Sequence, residues 1–253
     1  VEEKRRLKIA VLCASRGNPT GFQAALSVLD ALASGKNDIE FLHSDELRPS
    51  LGAIWNAIAD EAKPSEIYAL VTDRSVCITP HWDLHIADVY SKDDERVVWW
   101  NTNIGPVIPI VPRKWLAAAG QLYTDYFPFW FDDTWLQELS ALVHGLPIYG
   151  IQAACFIAKK NPMTKRMRDL RFWMDFFIAK RPERIAHAEK IRGILGLPEP
   201  DMGPINHWFR LNEDLWDKEW RNWESVMGDK SEPDETYIAA KKSAKEFMDA
   251  KSD

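Results

Sequence analysis

The chain has 253 residues, 46% of them apolar, and a formal net charge of −6. That length supports one large α/β domain or two small ones, and the negative balance argues against a surface that grips polyanions everywhere. Cys13, Cys77 and Cys155 lie far apart without CxxC spacing, which argues against a disulfide framework or a zinc site and fits a reducing, cytoplasmic compartment.

The charged start Val1-Glu2-Glu3-Lys4-Arg5-Arg6 precedes an apolar run, residues 9–14, too short for a signal core or a membrane span. Residues 7–13 read as a strand of the continuous apolar kind that parallel sheets bury on both faces. The run ends at Ala14-Ser15-Arg16-Gly17-Asn18-Pro19, and a helix is expected over residues 20–33. Backbone N–H groups and Arg16 there sit where a nucleotide or its phosphates can dock, although without a GxGxxG or Walker pattern an ordinary βα turn explains the loop equally well.

A second strand is expected at residues 38–43. After it, Asp45 either reaches a nucleotide ribose or base, or caps a helix. Residues 51–59 carry apolar side chains at helical spacing, and Ile67-Tyr68-Ala69-Leu70-Val71 is a short buried strand that stops at Thr72-Asp73-Arg74-Ser75. A carboxylate where an internal strand runs out emerges at the rim of the sheet, where open α/β folds hold ligands, so Asp73 is the first candidate site residue. The strand–helix alternation predicts a parallel arrangement with right-handed crossovers up to Asp83.

Beyond Asp83 the pattern changes. Residues 97–103 form a candidate strand, and Val107-Ile108-Pro109-Ile110-Val111 a proline-interrupted one, expected at an edge or a bulge. A short helix over residues 112–120 has Pro112 in its first turn and Gly120 at its stop. Asp132 and Asp133 precede an amphipathic helix that runs to about His144, and either acid can serve as its N-cap.

These segments resemble the GT-A glycosyltransferases that use nucleotide-diphosphate sugars, in particular small bacterial and phage members. The likeness rests on residues 9–19, Ser50-Leu51-Gly52-Ala53-Ile54-Trp55-Asn56, Val71-Thr72-Asp73 with Thr79-Pro80-His81-Trp82-Asp83, and Trp130-Phe131-Asp132-Asp133-Thr134-Trp135-Leu136. The resemblance implies a GT-A (Rossmann-like) mixed, mostly parallel sheet flanked by helices. It implies that Asp73 belongs to a D-x-D-type motif holding Mn2+ or Mg2+ against the donor diphosphate, with His207 completing the metal shell. Ser15, Arg16, Asp45, Asn56, Asp73 and Arg74 become donor-binding candidates, and Asp133, then Asp132, the acceptor-side base of an inverting transfer. The chain departs from the pattern at Ser75, where a second acid is expected, and Arg74 offers a metal-free way to neutralise the diphosphate.

Trp55, Trp115 and Trp135 read as core residues, whereas Trp82 and Trp130 adjoin the expected site as stacking platforms for a sugar or base. Residues 158–193 carry 11 Lys/Arg against 4 Asp/Glu with aromatics at helical spacing. They form either an amphipathic helix with a solvated face or a surface for an anionic acceptor, nucleic acid or a membrane-linked phospholipid sugar reached by peripheral contact. After Arg210 the balance reverses to 12 acids and 7 bases, so residues 1–210 read as the catalytic domain and 211–253 as its acidic helical extension, with a fraying terminal helix over 241–253. The activity that the resemblance implies is sugar transfer from a nucleotide-diphosphate donor, a UDP-sugar, to a saccharide or lipid-linked glycan or to a hydroxymethylated pyrimidine in phage-type DNA. The alternative is a non-catalytic protein of the same fold that binds nucleotide sugars or glycans.

Overall fold

The computed structural model describes residues 6–15, 20–46, 48, 50–62, 64–92, 95–128, 131–157, 168–228 and 231–251. Elements run β1 (Lys8–Ala14), α1 (Gly21–Leu32), β2 (Asp38–Ser44), α2 (Leu51–Glu61), β3 (Ile67–Thr72), β4 (Ser75–Cys77), α3 (Trp82–Tyr90), β5 (Val98–Asn101), β6 (Pro109–Pro112), α4 (Arg113–Ala119), α5 (Asp132–His144) and β7 (Gly150–Ile157). Helices α6 (Leu170–Ala179), α7 (Arg181–Leu195), α8 (Met202–Met227) and α9 (Glu235–Asp249) follow.

The described strands form a seven-stranded mixed sheet in the order β2-β1-β3-β6-β5-β7-β4. Strand β1 pairs in parallel with β2 and β3, and β5 with β7; the pairings β3–β6, β5–β6 and β4–β7 are antiparallel. The continuous apolar runs of β1 and β3 are buried because helices cover both faces. The proline-interrupted strand is not at an edge: β6 lies between β3 and β5, with no register shift in either pairing. Its prolines stand at its two ends, Pro109 opposite Trp99 and Pro112 opposite Ile67, so Ile110 and Val111 keep the N–H groups between them.

Indole N–H groups help to lock the layers. Trp55 Nε1 on α2 donates to the carbonyls of Leu12 and Val71 at 3.1 Å each, and Trp100 Nε1 to Leu70 O at 3.0 Å. Trp115 and Trp135 are buried as expected. Trp82 is also fully buried, its Nε1 donating to Leu29 O at 2.8 Å, so it belongs to the core and not to an acceptor surface. His81, in the left-handed region at φ 57°, turns the chain into α3 and swings Trp82 inward. The next residue, Asp83, is buried and accepts from Ser34 N (2.8 Å), Ser34 Oγ (2.5 Å) and Asn37 Nδ2 (2.8 Å), tying α3 to the α1–β2 connection.

The aromatics of α6 point into the core as the amphipathic reading predicts, with Trp173, Phe176 and Phe177 all buried. Much of the basic charge of α6 and α7 is spent internally. Arg184 is buried against Glu138 of α5 at 2.8 Å, Arg181 pairs with Glu213 of α8 at 2.5 Å, and Lys180 pairs with Glu183 at 2.8 Å. Residues 158–167 of that basic stretch lie outside the described residues. The charge change after Arg210 falls inside the 26-residue helix α8, and the terminal helix starts at Glu235 rather than 241.

Candidate active site

The donor candidates gather at one sheet edge because three parallel strands end in register. Ala14 of β1 stands opposite Ser44 of β2 and Thr72 of β3, so Ser15, Asp45 and Asp73 are the next residues out on adjacent strands. Ser15 N donates to Ser44 O at 2.9 Å and Asp73 N to Ala14 O at 3.2 Å, which extends the ladder by one residue on each side of β1. The chain moves from β1 to β2 on one side and then to β3 on the other, so this edge is a topological switch point, the place where open α/β sheets form ligand crevices.

Their exposures differ. Asp45 is exposed, Asp73 and Arg74 are half-buried in the β3–β4 turn, and Ser15 is fully buried. Arg16 and Trp130 lie outside the described residues. The side chain of Asn56 is committed to the chain itself: Oδ1 accepts from Leu122 N and Tyr123 N at 3.0 Å, and Nδ2 donates to Tyr123 O at 2.8 Å. It holds the 122–123 segment and is a positioning residue rather than a donor contact. Cys13 and Cys155 have their thiols pushed up to about 12, chiefly by burial, so neither supplies a thiolate.

The acid pair reaches this edge through α2, which starts just after β2. Ser50 caps α2 by accepting from Ala53 N at 3.0 Å, and its hydroxyl also hydrogen-bonds Asp132. Gly52 permits the approach. A Cβ there would come within 2.7 Å of Tyr123 Cβ and 3.1 Å of Asp132 Oδ2. Neither acid is the N-cap of α5, because Phe131 occupies that position at φ 75° and leaves Asp132 and Asp133 in the first turn. Phe131 is held in this costly conformation by stacking on Phe177 at 4.9 Å and by edge contact with Trp216 at 5.5 Å.

The two carboxyls have different surroundings. Asp133 Oδ1 accepts from Thr134 N at 2.8 Å, and its proton affinity is raised by burial but held back by the Thr134 hydrogen bonds. Burial, then the charges of Asp133 and Asp125, push Asp132 well above the usual carboxylate range, and its Oδ1 is buried without a hydrogen-bond partner. The buried Tyr123 hydroxyl, also without a partner, is pushed up by burial and by both acids. The pair therefore splits into one carboxyl that ionises first, Asp133, and a neighbour that keeps its proton longer.

Beside the pair lies a cleft of about 520 Å³ whose walls include Thr134 and Gln137 of α5, Ile148, and Trp208, Asn212 and Trp216 of α8. Positions 208, 212 and 216 recur every four residues, so the sequence shows that they share a helix face but not what that face meets. His207, beside Trp208, is exposed. Among the described residues no three His, Cys, Asp or Glu side chains are grouped to hold a metal ion. Ser75, where a second acid is expected, is buried and accepts from Thr72 N at 2.9 Å. The remaining donor set, one half-buried carboxylate at Asp73, fits a hard cation that takes one or two carboxylates and completes its shell with substrate phosphates and water.

The sheet order, its crevice and the helices over it constitute a glycosyltransferase fold of the GT-A type. Among solved structures, the chain is similar to the mannosyltransferase PcManGT from Pyrobaculum calidifontis in complex with GDP-Man and Mn2+, with 12% identity, a TM-score of 0.51, and coverage of 95% of this chain and 87% of that one. It is also similar to TarS of S. aureus at 10% identity and a TM-score of 0.50, covering 73% of this chain and 42% of TarS. No protein-family profile and no curated protein sequence matches the chain.

Proposed function

We propose that the chain transfers a sugar from a nucleoside-diphosphate donor to an acceptor hydroxyl, with Asp133 as general base. The observation that carries this is the partly buried acid pair at the start of α5, set against the capped start of α2 beside the switch-point edge. The nucleotide and diphosphate occupy the edge formed by Asp45, Asp73 and Arg74, which follows directly on the buried Ser15. Asp133 takes the proton from the acceptor hydroxyl as its oxygen bonds to the anomeric carbon; the bond from that carbon to the phosphate oxygen breaks, and the diphosphate leaves. A single displacement of this kind inverts the anomeric centre. Asp132, protonated over a wider pH range, supplies a neutral wall that does not compete for the proton, while burial raises the basicity of Asp133 itself.

A divalent cation, Mn2+ or Mg2+, would be held by Asp73 and would neutralise the charge that develops on the leaving diphosphate. The resemblance adds His207 as a further ligand. PcManGT, with GDP-Man and Mn2+ bound, supports the donor class and the cation.

The test is a titration of UDP- and GDP-sugars with and without Mn2+, followed by transfer and donor-hydrolysis assays on Asp133→Asn, Asp73→Asn and His207→Ala. Asp133→Asn is expected to keep donor affinity and lose about 100-fold or more in turnover. Asp73→Asn is expected to lose about tenfold in donor affinity with Mn2+, about 1.4 kcal/mol. His207→Ala, at an exposed position, lowers Mn2+ affinity without lowering the melting temperature. No binding of any nucleotide sugar would sink the proposal, and more than about a tenth of wild-type turnover in Asp133→Asn would remove that residue from the base role.

A further inference from the structure

The cleft beside the acid pair has a chemistry that points to its occupant. None of its lining side chains is charged. Trp208 is half-buried there, whereas Trp216, 8% exposed, forms a floor that also meets Phe131, the residue preceding the acids. Gln137 donates through Nε2 to Pro106 O at 2.7 Å, which fixes its amide plane. Asn212 is half-buried on the cleft-lining face of α8. Thr134 belongs both to the wall and to the base, its hydroxyl donating to Asp133 Oδ1 at 3.4 Å.

Three classes of occupant can be weighed against this lining. A phosphodiester or other polyanion needs cationic partners to offset its desolvation, and the lining provides none. An alkyl chain would leave the Asn212 amide and the Gln137 carbonyl oxygen facing a surface that cannot hydrogen-bond, at a cost of about 1–3 kcal/mol for each unsatisfied group. A neutral sugar ring matches both kinds of surface, with C–H faces that pack on indole and hydroxyls that pair with neutral amides. About 520 Å³ lies within the range of small-ligand sites.

We propose that this cleft is the acceptor subsite and takes a neutral saccharide, which packs on Trp208, is read by Gln137 and Asn212, and presents a hydroxyl past Thr134 to Asp133. The assignment rests on glycosyl transfer at Asp133 for its function, but its ligand class follows from the lining alone. It selects a glycan over nucleic acid among the acceptor classes.

The experiment uses the full chain on an array of neutral gluco-, galacto- and manno-oligosaccharides, with a single-stranded oligonucleotide and a phosphate-bearing glycan as the charged arm. Wild type, Trp208→Ala, Trp208→Phe and Asn212→Ala are compared, and UDP-glucose and GDP-mannose are titrated in parallel with Mn2+. At least one neutral glycan is expected to bind, Trp208→Ala to weaken it tenfold or more, and Trp208→Phe to restore most of the loss. Donor affinity should stay constant across the set, which also shows that the variants fold. Binding confined to the charged arm, binding of no glycan at all, or equal neutral-glycan affinity in Trp208→Ala and wild type overturns the proposal. Neutral-glycan binding that depends on Trp208 in a protein that binds no nucleotide sugar would instead leave the cleft standing and remove the transferase reaction.

Discussion

Asp132 is the residue whose surroundings most constrain how the protein behaves with pH. A carboxyl with a folded-state pKa above its unfolded value binds its proton more tightly in the native protein. Its contribution is therefore intact at low pH and is lost as pH rises from about 3.9 through the raised value. Asparagine keeps the shape of the protonated form and cannot ionise. Asp132→Asn is thus expected to melt progressively higher than wild type as the buffer moves from about pH 4 to about pH 8. A melting-temperature difference that stays constant over that range would show that Asp132 is solvated as an ordinary surface acid. Gly52 has a related part: its missing Cβ is the space in which Tyr123 and Asp132 meet α2.

At the scale of elements, α5 is held from two directions. Its first turn carries the acids, and one turn further on Glu138 is fully buried against Arg184 of α7, with Arg181 at 3.6 Å linking to Glu213 of α8. Burial raises the Glu138 carboxyl despite both arginines and lowers Arg184 to about 10, so each charge depends on the other to remain buried. Arg184→Met alone is expected to cost about 3–5 kcal/mol, because it strands Glu138, whereas the double change Glu138→Leu with Arg184→Met should recover most of that loss. Chemical denaturation of both variants measures it, and additive losses would deny the coupling. Sequence pattern showed β1 and β3 because strands buried on both faces read as unbroken apolar runs, and it showed the partly buried edge strand β2 through Ile39, Phe41 and Leu42. It missed β7, whose buried Ile151, Ala153, Cys155 and Ile157 alternate with residues that include the apolar Ala154 and Phe156, which blurs the period. It missed β4 because three residues carry too little pattern, and it placed Trp82 at the site because sequence adjacency to Asp73 does not show which way a left-handed His81 turns the chain. The cleft needed α8 to come back over α5, a contact across some seventy residues that no local signal encodes.

For the whole molecule, the sheet divides the proposed work along the chain: the donor edge comes from residues before position 75, and the base and cleft come almost wholly from residues after 130. The join between the two is β4, which leaves the turn carrying Asp73 and Arg74 and, among the described strands, pairs with β7 alone, Ser75 opposite Ile157 and Cys77 opposite Cys155. That pairing closes a loop of about eighty residues for three rungs of ladder, and loop-closure entropy must be offset before so distant a contact becomes favourable. A chain emerging from the ribosome can therefore assemble β2-β1-β3 early but cannot anchor the far side of its Asp73 turn until β7 has been synthesised. Pulse-labelled hydrogen exchange during refolding should record protection at β1 and β3 before protection at Val76 and Ile78, whose amides face β7, and simultaneous protection would refute that order. The proposed donor edge would then be finished last at the turn of Asp73 and Arg74, leaving nascent chains unable to grip a nucleotide sugar before the residues of the proposed acceptor cleft exist to receive it.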